Sequence, residues 1–185
     1  MPKCASTALE AALSERMDLV ISGHPGAKHT NYRKYNRHLK KYLEGFSGGP
    51  LETVCTFREP VSWLHSWWRY RSRPDLPDPS RSTREVDFER FVELYIDDAR
   101  APANLGRQSR FISTIDGAIG IDRLFRYDRL DLMCSYLAGK LDCDVVLDRR
   151  NVSPAAHASD ELSAGAQARL KEHLSRDFEI YESLS

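Results

Sequence analysis

The sequence has few cysteines, and their positions do not suggest a disulfide framework or a metal site. Only four are present, and they form no CxxC pair and no metal-like spacing with histidine: Cys4, Cys55, Cys134 and Cys143. Such isolated cysteines are typical of reduced thiols in a cytoplasmic protein. We therefore expect a cytoplasmic protein that needs no metal.

Long apolar runs and an excess of either charge are also missing. No apolar run approaches the ~20 residues of a membrane span, and no signal peptide is recognised. The chain carries 27 Lys and Arg and 27 Asp and Glu, whereas a general nucleic-acid or membrane-surface binder usually shows a basic excess. The 185 residues, 41% of them hydrophobic, are enough for one domain with a substantial core. We predict a single α/β domain over residues 1–185, with no nucleic-acid partner and no membrane span.

Residues 53–73 combine a short apolar run with an amphipathic helix. The run TVCTF is typical of a buried strand, and Pro60 suits the first helical position because it has no N–H to lose. Arg58 stands at the end of the predicted strand, where ligands bind in α/β proteins. Ser66 follows on the helix, and an arginine and a hydroxyl converging there would suit a phosphate. The alternative is a surface arginine and a solvated serine.

The first residues, MPKCAST, lead into a helix predicted to begin near Ala5 or Ser6. A helix N-terminus offers unpaired N–H groups and a positive partial charge, to which Lys3 adds an ammonium and Ser6 and Thr7 add hydroxyls. The phosphate loop GxxxxGK[ST] of nucleotide hydrolases is absent. Taken alone, this segment is better explained as a helix cap than as a binding loop.

Together, the two segments resemble the sulfotransferase superfamily, and most closely its carbohydrate-type and bacterial members. In that family a PKxGTT- or PKxxST-like loop binds the 5′-phosphosulfate of 3′-phosphoadenosine-5′-phosphosulfate (PAPS), and an Arg-x7-Ser element binds its 3′-phosphate. The resemblance implies that the phosphosulfate is bound by Lys3, Cys4, Ala5, Ser6 and Thr7, and the 3′-phosphate by Arg58 and Ser66. It also implies a three-layer αβα fold of the P-loop type with a central parallel sheet.

The implied reaction is sulfuryl transfer from PAPS to a hydroxyl or amine of a small-molecule or carbohydrate acceptor. In the family, a histidine or glutamate accepts the proton of the acceptor near the start of the basic helix, here NYRKYNRHLKKYLEGF. His29 is the first candidate and His24 the second, because the pKa of histidine lies near neutrality. Lys3 would neutralise the charge on the leaving phosphate oxygen. Both histidines are also explained as exposed loop residues, which is the interpretation we favour for His24.

Two departures from the family pattern leave other functions open. Ala5 stands where many members carry glycine, so that a close approach of the backbone to phosphate is less free. The strand that precedes the loop in the family is missing here, which indicates a misplaced start or a truncation. The alternatives are an inactive relative that binds a nucleotide or a partner, and a P-loop kinase. The kinase is disfavoured because the lysine–hydroxyl pair is absent.

The remaining predictions concern structural elements and a second basic loop. Strands are predicted at Asp18–Ser22, Ile121–Tyr127 and Asp144–Leu147, with Asp128 as a helix cap and one long helix at the C-terminus. The loop DRRNVSP contains Arg149 and Arg150, which the resemblance assigns to the adenosine 3′-phosphate. In NLGRQSRFI, Arg107, Gln108 and Arg110 are interpreted either as acceptor contacts or as part of a solvated face.

Overall fold

A computed structural model describes residues 1–97, 101–147 and 161–184, and in these ranges the protein is mixed α/β. The strands are β1 (Val54–Phe57) and β2 (Arg123–Arg126). The helices are α1 (Ser6–Leu13), α2 (Pro25–Lys28), α3 (Tyr32–Lys34), α4 (Lys40–Ser47), α5 (Pro60–Arg71), α6 (Phe88–Ile96), α7 (Gln108–Ile112), α8 (Leu130–Leu141), α9 (Ala164–His173) and α10 (Ser175–Ser183). None of the helices in these ranges is long and apolar enough to cross a membrane.

The described chain divides into two compact units. The first comprises residues 1–58, 108–147 and 182–184, and the second comprises residues 59–97, 101–107 and 161–181. The first unit contains the sheet and the second is built from helices.

The sheet consists of two parallel strands in the described ranges. β1 pairs with β2 so that Val54 lies opposite Arg123 and Phe57 opposite Arg126. The strands predicted in residues 53–57 and 121–127 are therefore confirmed. At the start of the pair, the carboxylate of Asp122 accepts hydrogen bonds from the N–H and the hydroxyl of Thr53 at 2.8 and 2.7 Å. The parallel register brings the residues after both strands, Arg58 and Tyr127, to the same edge of the sheet.

Helix α5 begins as the sequence predicts. Pro60 is its first residue, and the carboxylate of Glu59 accepts the N–H groups of the second and third helical residues at 3.0 and 2.6 Å. Aromatic residues four and three positions apart share one face of this helix, since the rings of Trp63 and Trp67 lie 6.2 Å apart and those of Trp67 and Tyr70 5.9 Å apart. Both pairs meet edge to face, an arrangement that aromatic quadrupoles favour.

The core of the second unit is formed by apolar faces of α5, α6 and α9. Helix α6 packs on α5 and on α9, and the side chains buried on these three helices include Trp63, Leu64, Phe88, Phe91, Val92, Ala166 and Leu170. The helix predicted at the C-terminus is two helices, α9 and α10. The break falls at Leu174, which leaves the helical conformation (φ −109°, ψ 25°) and is buried.

Two predicted strands and one predicted cap are wrong. Residues 18–22 and 144–147 have no regular structure, and Leu19 and Val146 are 56% and 75% exposed. A strand needs a partner for its backbone groups, and no strand in the described ranges pairs with either segment. Asp128 does not cap α8, because the N-cap residue is Arg129 and no side chain caps the helix; both carboxylate oxygens of Asp128 bind Arg126, at 3.0 and 2.7 Å.

The basic helix is confirmed, with one irregularity. Its N-terminus is capped by Asn31, whose side chain accepts the N–H of Lys34 at 3.0 Å. Between α3 and α4 the chain makes a π turn over Tyr35–Leu39. Gly48 ends the helix in a left-handed conformation (φ 73°), which glycine adopts without a steric penalty.

Candidate functional site

The loop before α1 is attached to the end of β1 by two hydrogen bonds. The carbonyl of Cys4 accepts the hydroxyl of Thr56 at 2.7 Å. The carbonyl of Lys3 accepts a guanidinium N–H (Nη1) of Arg58 at 3.2 Å. The two segments selected from the sequence thus meet in the first unit, at the edge of the sheet where a ligand of an α/β protein binds.

Gln108 holds the backbone of Arg58 from both sides of the residue. Its side-chain oxygen accepts the Arg58 N–H at 3.0 Å, and its side-chain nitrogen donates to the Arg58 carbonyl at 2.7 Å. The thiol of Cys4 lies 3.6 Å from the same oxygen. Gln108 is only 1% exposed, so the interpretation of this residue as part of a solvated face is wrong. A buried amide with both ends bonded fixes where the arginine leaves the strand.

Tyr127 contacts the guanidinium of Arg58. The Cζ atom of Arg58 lies 4.3 Å from the centroid of the Tyr127 ring, within the range of a cation–π interaction. Sequence reasoning missed this residue, although it directly follows a strand that was predicted correctly. The ring and the Lys3 carbonyl together restrict the directions in which the guanidinium can point.

The backbone of this loop enters the left-handed region twice within three residues. Lys3 (φ 63°) and Ala5 (φ 60°) are both left-handed, and Cys4 between them is not. Alternation of this kind makes concavities of backbone N–H groups that bind phosphate. Ala5 is the N-cap of α1 and makes no side-chain capping bond. The sequence alone favours a helix cap for MPKCAST, but no side chain of this segment caps α1.

The thiol of Cys4 and the backbone of Ala5 each have a property that bears on what this loop can do. The Cys4 thiol is 1% exposed, and burial raises its pKa to about 12. It is therefore a neutral packing group and not a nucleophile. The left-handed conformation of Ala5 costs about 1 kcal/mol relative to glycine.

The two candidate histidines lie in different environments. His24 is exposed and caps α2, since its Nδ1 accepts the Gly26 N–H at 3.1 Å and its carbonyl accepts the Lys28 N–H at 2.8 Å. His29 is half-buried, and its Nδ1 is buried without a hydrogen-bond partner in the described ranges. Burial lowers the pKa of His29, and nearby positive charge acts in the same direction. His29 is therefore held in the neutral form that a general base requires.

A salt bridge attaches the segment before His29 to α1. The ammonium of Lys28 lies 2.6 Å from the carboxylate of Glu10. Hydrogen bonding to Lys28 lowers the pKa of Glu10, so the Glu10 carboxylate is ionised at neutral pH. Because Lys28 directly precedes His29, this contact ties the histidine segment to the helix that follows the loop.

The other predicted site residues are not brought together by these contacts. Ser66 is buried in α5 of the second unit, and its pairing with Arg58 stays a prediction. Ser6 and Thr7 form the first turn of α1. Arg149 and Arg150 lie outside the described residues. In the ranges that the structure describes, no group of three or more metal-ligating side chains is assembled.

Comparison with models of protein families, with curated proteins and with solved structures found no match.

Proposed function

We propose that the chain is a sulfotransferase that uses PAPS as its co-substrate. The observation that carries this proposal is the contact between the Lys3 carbonyl and Arg58, at 3.2 Å. It joins a lysine-containing loop at a helix N-terminus to an arginine at a strand end, and both kinds of group bind phosphate. PAPS carries phosphate groups at two positions, which suits a site with two separate cationic groups.

The proposed chemistry is an in-line displacement at sulfur. The acceptor oxygen or nitrogen forms a bond to the sulfur as the bond from sulfur to the phosphate oxygen breaks, and adenosine 3′,5′-bisphosphate leaves. Lys3 neutralises the charge on the leaving oxygen, and the neutral imidazole of His29 takes the proton of the acceptor. Arg58 holds the 3′-phosphate and so distinguishes PAPS from ATP, and the assignment of Ser66, Arg149 and Arg150 to the same phosphate stays a prediction. The acceptor is a small molecule or a carbohydrate.

The proposal includes the finer details of fold and location. We assign the parallel pair β1–β2 to the sheet of a three-layer αβα domain of the P-loop type. Support comes from the long connection between the two strands, which contains helices, as parallel pairing requires. We place the protein in the cytoplasm, where its four cysteines would stay reduced.

A second candidate is a related protein that binds the nucleotide without transferring the sulfuryl group. It is favoured by Ala5, whose side chain is present at a left-handed position where many family members have glycine. Both candidates bind the bisphosphate, but only the enzyme forms a sulfated acceptor from PAPS. Detection of that sulfated product therefore distinguishes them.

The test is thermal unfolding with adenosine 3′,5′-bisphosphate, compared with adenosine 5′-monophosphate and ATP. At 100 times the dissociation constant, a ligand stabilises the native state by ~2.7 kcal/mol. This corresponds to several degrees at roughly 2–4 °C per kcal/mol for a protein of this size. We expect the bisphosphate to raise the unfolding temperature more than the monophosphate does, and Arg58→Ala to remove that difference.

Arg110→Ala is the matched control, because Arg110 is an exposed arginine of α7 and should leave the shift intact. Absence of any shift with the wild-type chain would contradict the proposed function. A shift with ATP alone would instead support the kinase.

A further inference from the structure

The outward face of residues 32–47 is basic and aromatic. Its exposed cations are Arg33, which bonds the Thr114 carbonyl, and Lys34, Arg37 and Lys41. In the last turns of the same segment the side chains of Tyr42 and Phe46 are 65% and 77% exposed. We call Lys34, Arg37, Lys41, Tyr42 and Phe46 the basic face. The half-buried positions of the same segment include Tyr32, Tyr35, Leu39 and Leu43.

The acidic residue of this helix points away from the basic face. Glu44 is half-buried, and its carboxylate accepts the N–H of Leu51 at 3.2 Å and lies 4.0 Å from Lys40. Residues 31–47 contain no other acidic residue. The positive charge of the basic face is therefore not neutralised from within its own helix. Since exposed charges are screened beyond about 8 Å at physiological salt, this local charge matters more to a partner than the zero net charge of the chain.

The two exposed aromatic side chains form one apolar projection. The rings of Tyr42 and Phe46 lie 5.0 Å apart at 66°, edge to face. In this arrangement the edge of one ring covers part of the face of the other, so the pair does not offer two open platforms for stacking bases or sugars. The two rings make one contiguous apolar patch, and contiguous patches, unlike single exposed side chains, are features of interaction sites.

An exposed aliphatic side chain lies near the other end of the same helix. Ile115, 87% exposed, is in the turn between Ser113 and Ile119. This turn is held to α3 by Arg33, whose Nε donates to the Thr114 carbonyl at 3.0 Å. An aliphatic side chain exposed at the tip of a turn can insert among lipid chains.

We propose that the basic face, together with Ile115, binds the surface of an anionic phospholipid bilayer. Lys34, Arg37 and Lys41 attract the lipid phosphates, and the aromatic pair and Ile115 enter the interfacial layer, as in other interfacial helices. A second copy of this chain is disfavoured because two identical basic faces repel each other. A nucleic acid is disfavoured because the site is one convex helix face without a charged groove or open stacking platforms. This proposal does not depend on the proposed function.

The test is sedimentation of the full chain with vesicles at physiological salt. We expect binding to phosphatidylcholine vesicles that contain 30% phosphatidylserine, and at least tenfold weaker binding to pure phosphatidylcholine. Reversing the three cations (Lys34→Glu, Arg37→Glu, Lys41→Glu) should weaken binding by about 100-fold or more. Removing the aromatic pair (Tyr42→Ser, Phe46→Ser) should weaken it by about tenfold. All five side chains are exposed, so the variants should keep the unfolding temperature of the wild type.

The matched control reverses three exposed cations on α9 and α10, Arg169, Lys171 and Arg176, and so changes the net charge by the same amount. Unchanged vesicle binding by this control supports the proposal. Equal loss in the control and in the basic-face variant would overturn it, as would no binding of the wild type to anionic vesicles. Binding of polyuridylic acid, lost in the basic-face variant while vesicles are not bound, would assign the face to nucleic acid instead.

Discussion

Gln108 makes with the backbone of Arg58 the pair of hydrogen bonds that a neighbouring strand would otherwise make. One amide accepts the N–H and donates to the carbonyl of the same residue, at 3.0 and 2.7 Å. The hydrogen-bond ladder of β1 is thus extended by a side chain at the residue that the proposed function needs most. Since the amide is buried, its loss leaves two backbone groups of Arg58 without these partners.

We predict that Gln108→Leu weakens binding of adenosine 3′,5′-bisphosphate by about tenfold, because Arg58 is no longer held at the strand end. The measurement is a double-mutant cycle by calorimetry. In the Arg58→Ala background, Gln108→Leu should have no further effect, which corresponds to a coupling of about 1.4 kcal/mol. Independent, additive losses would show that Gln108 acts on general stability and not through Arg58. If the wild type binds no bisphosphate, the proposed function fails first.

The lowered pKa of His29 has a consequence for stability below neutral pH. In the unfolded chain this histidine binds a proton as the pH falls through about 6.5, whereas in the folded chain its pKa is lower because the ring is partly buried. Between the pKa of the folded chain and that of the unfolded chain, the unfolded state holds more protons. The contribution of His29 to the free energy of unfolding therefore falls as the pH falls. We predict that His29→Gln reduces the loss of unfolding temperature between pH 7.5 and pH 5.5.

His24→Gln is the control, because His24 is exposed. An identical pH dependence in wild type and His29→Gln would show that His29 is not protected from protonation in the fold.

At the scale of elements, the start of α5 depends on a glutamate where shorter side chains are more usual. Glu59 accepts two backbone N–H groups, and loss of an N-cap costs about 1 kcal/mol. We predict that Glu59→Ala lowers the unfolding temperature by roughly 2–4 °C, whereas Glu59→Asp retains most of the stabilisation by the cap. Glu85, an exposed glutamate, provides the control variant Glu85→Ala. No difference between the two alanine variants would contradict the importance of the cap.

The helices that the sequence predicts correctly have local signals, whereas of the four predicted strands only the two that pair with each other form. The α5 start is marked by Glu59 and Pro60, and the basic helix ends at a glycine in the left-handed conformation. Residues 18–22 have an equally apolar pattern and form no strand. The difference is that a helix satisfies its own backbone, whereas a strand depends on a partner elsewhere in the chain. The predicted contacts of single residues fail for the same reason, as Asp128 shows by binding Arg126 in preference to the helix.

At the scale of the whole molecule, composition conceals the distribution of charge. The equal counts of 27 acidic and 27 basic residues predict no attraction to an anionic partner. The basic face nevertheless collects three exposed cations on one helix, while many other cations pair with carboxylates, as Arg126 does with Asp128. A sum over the chain carries no information about such segregation.

The candidate site is assembled from parts that are distant in the chain. Arg58 is separated by 50 residues from Gln108 and by 55 from Lys3. Tyr127, whose ring contacts the guanidinium, comes later still in the chain, directly after β2. The entropy cost of closing a long loop comes before its ends make favourable contacts. We therefore expect such a site to form late in folding. A nascent chain that ends near residue 100 therefore contains Lys3 and Arg58 but neither Gln108 nor Tyr127, which hold Arg58 in position. If the proposed function holds, we expect the bisphosphate to be bound only by chains long enough to expose Tyr127.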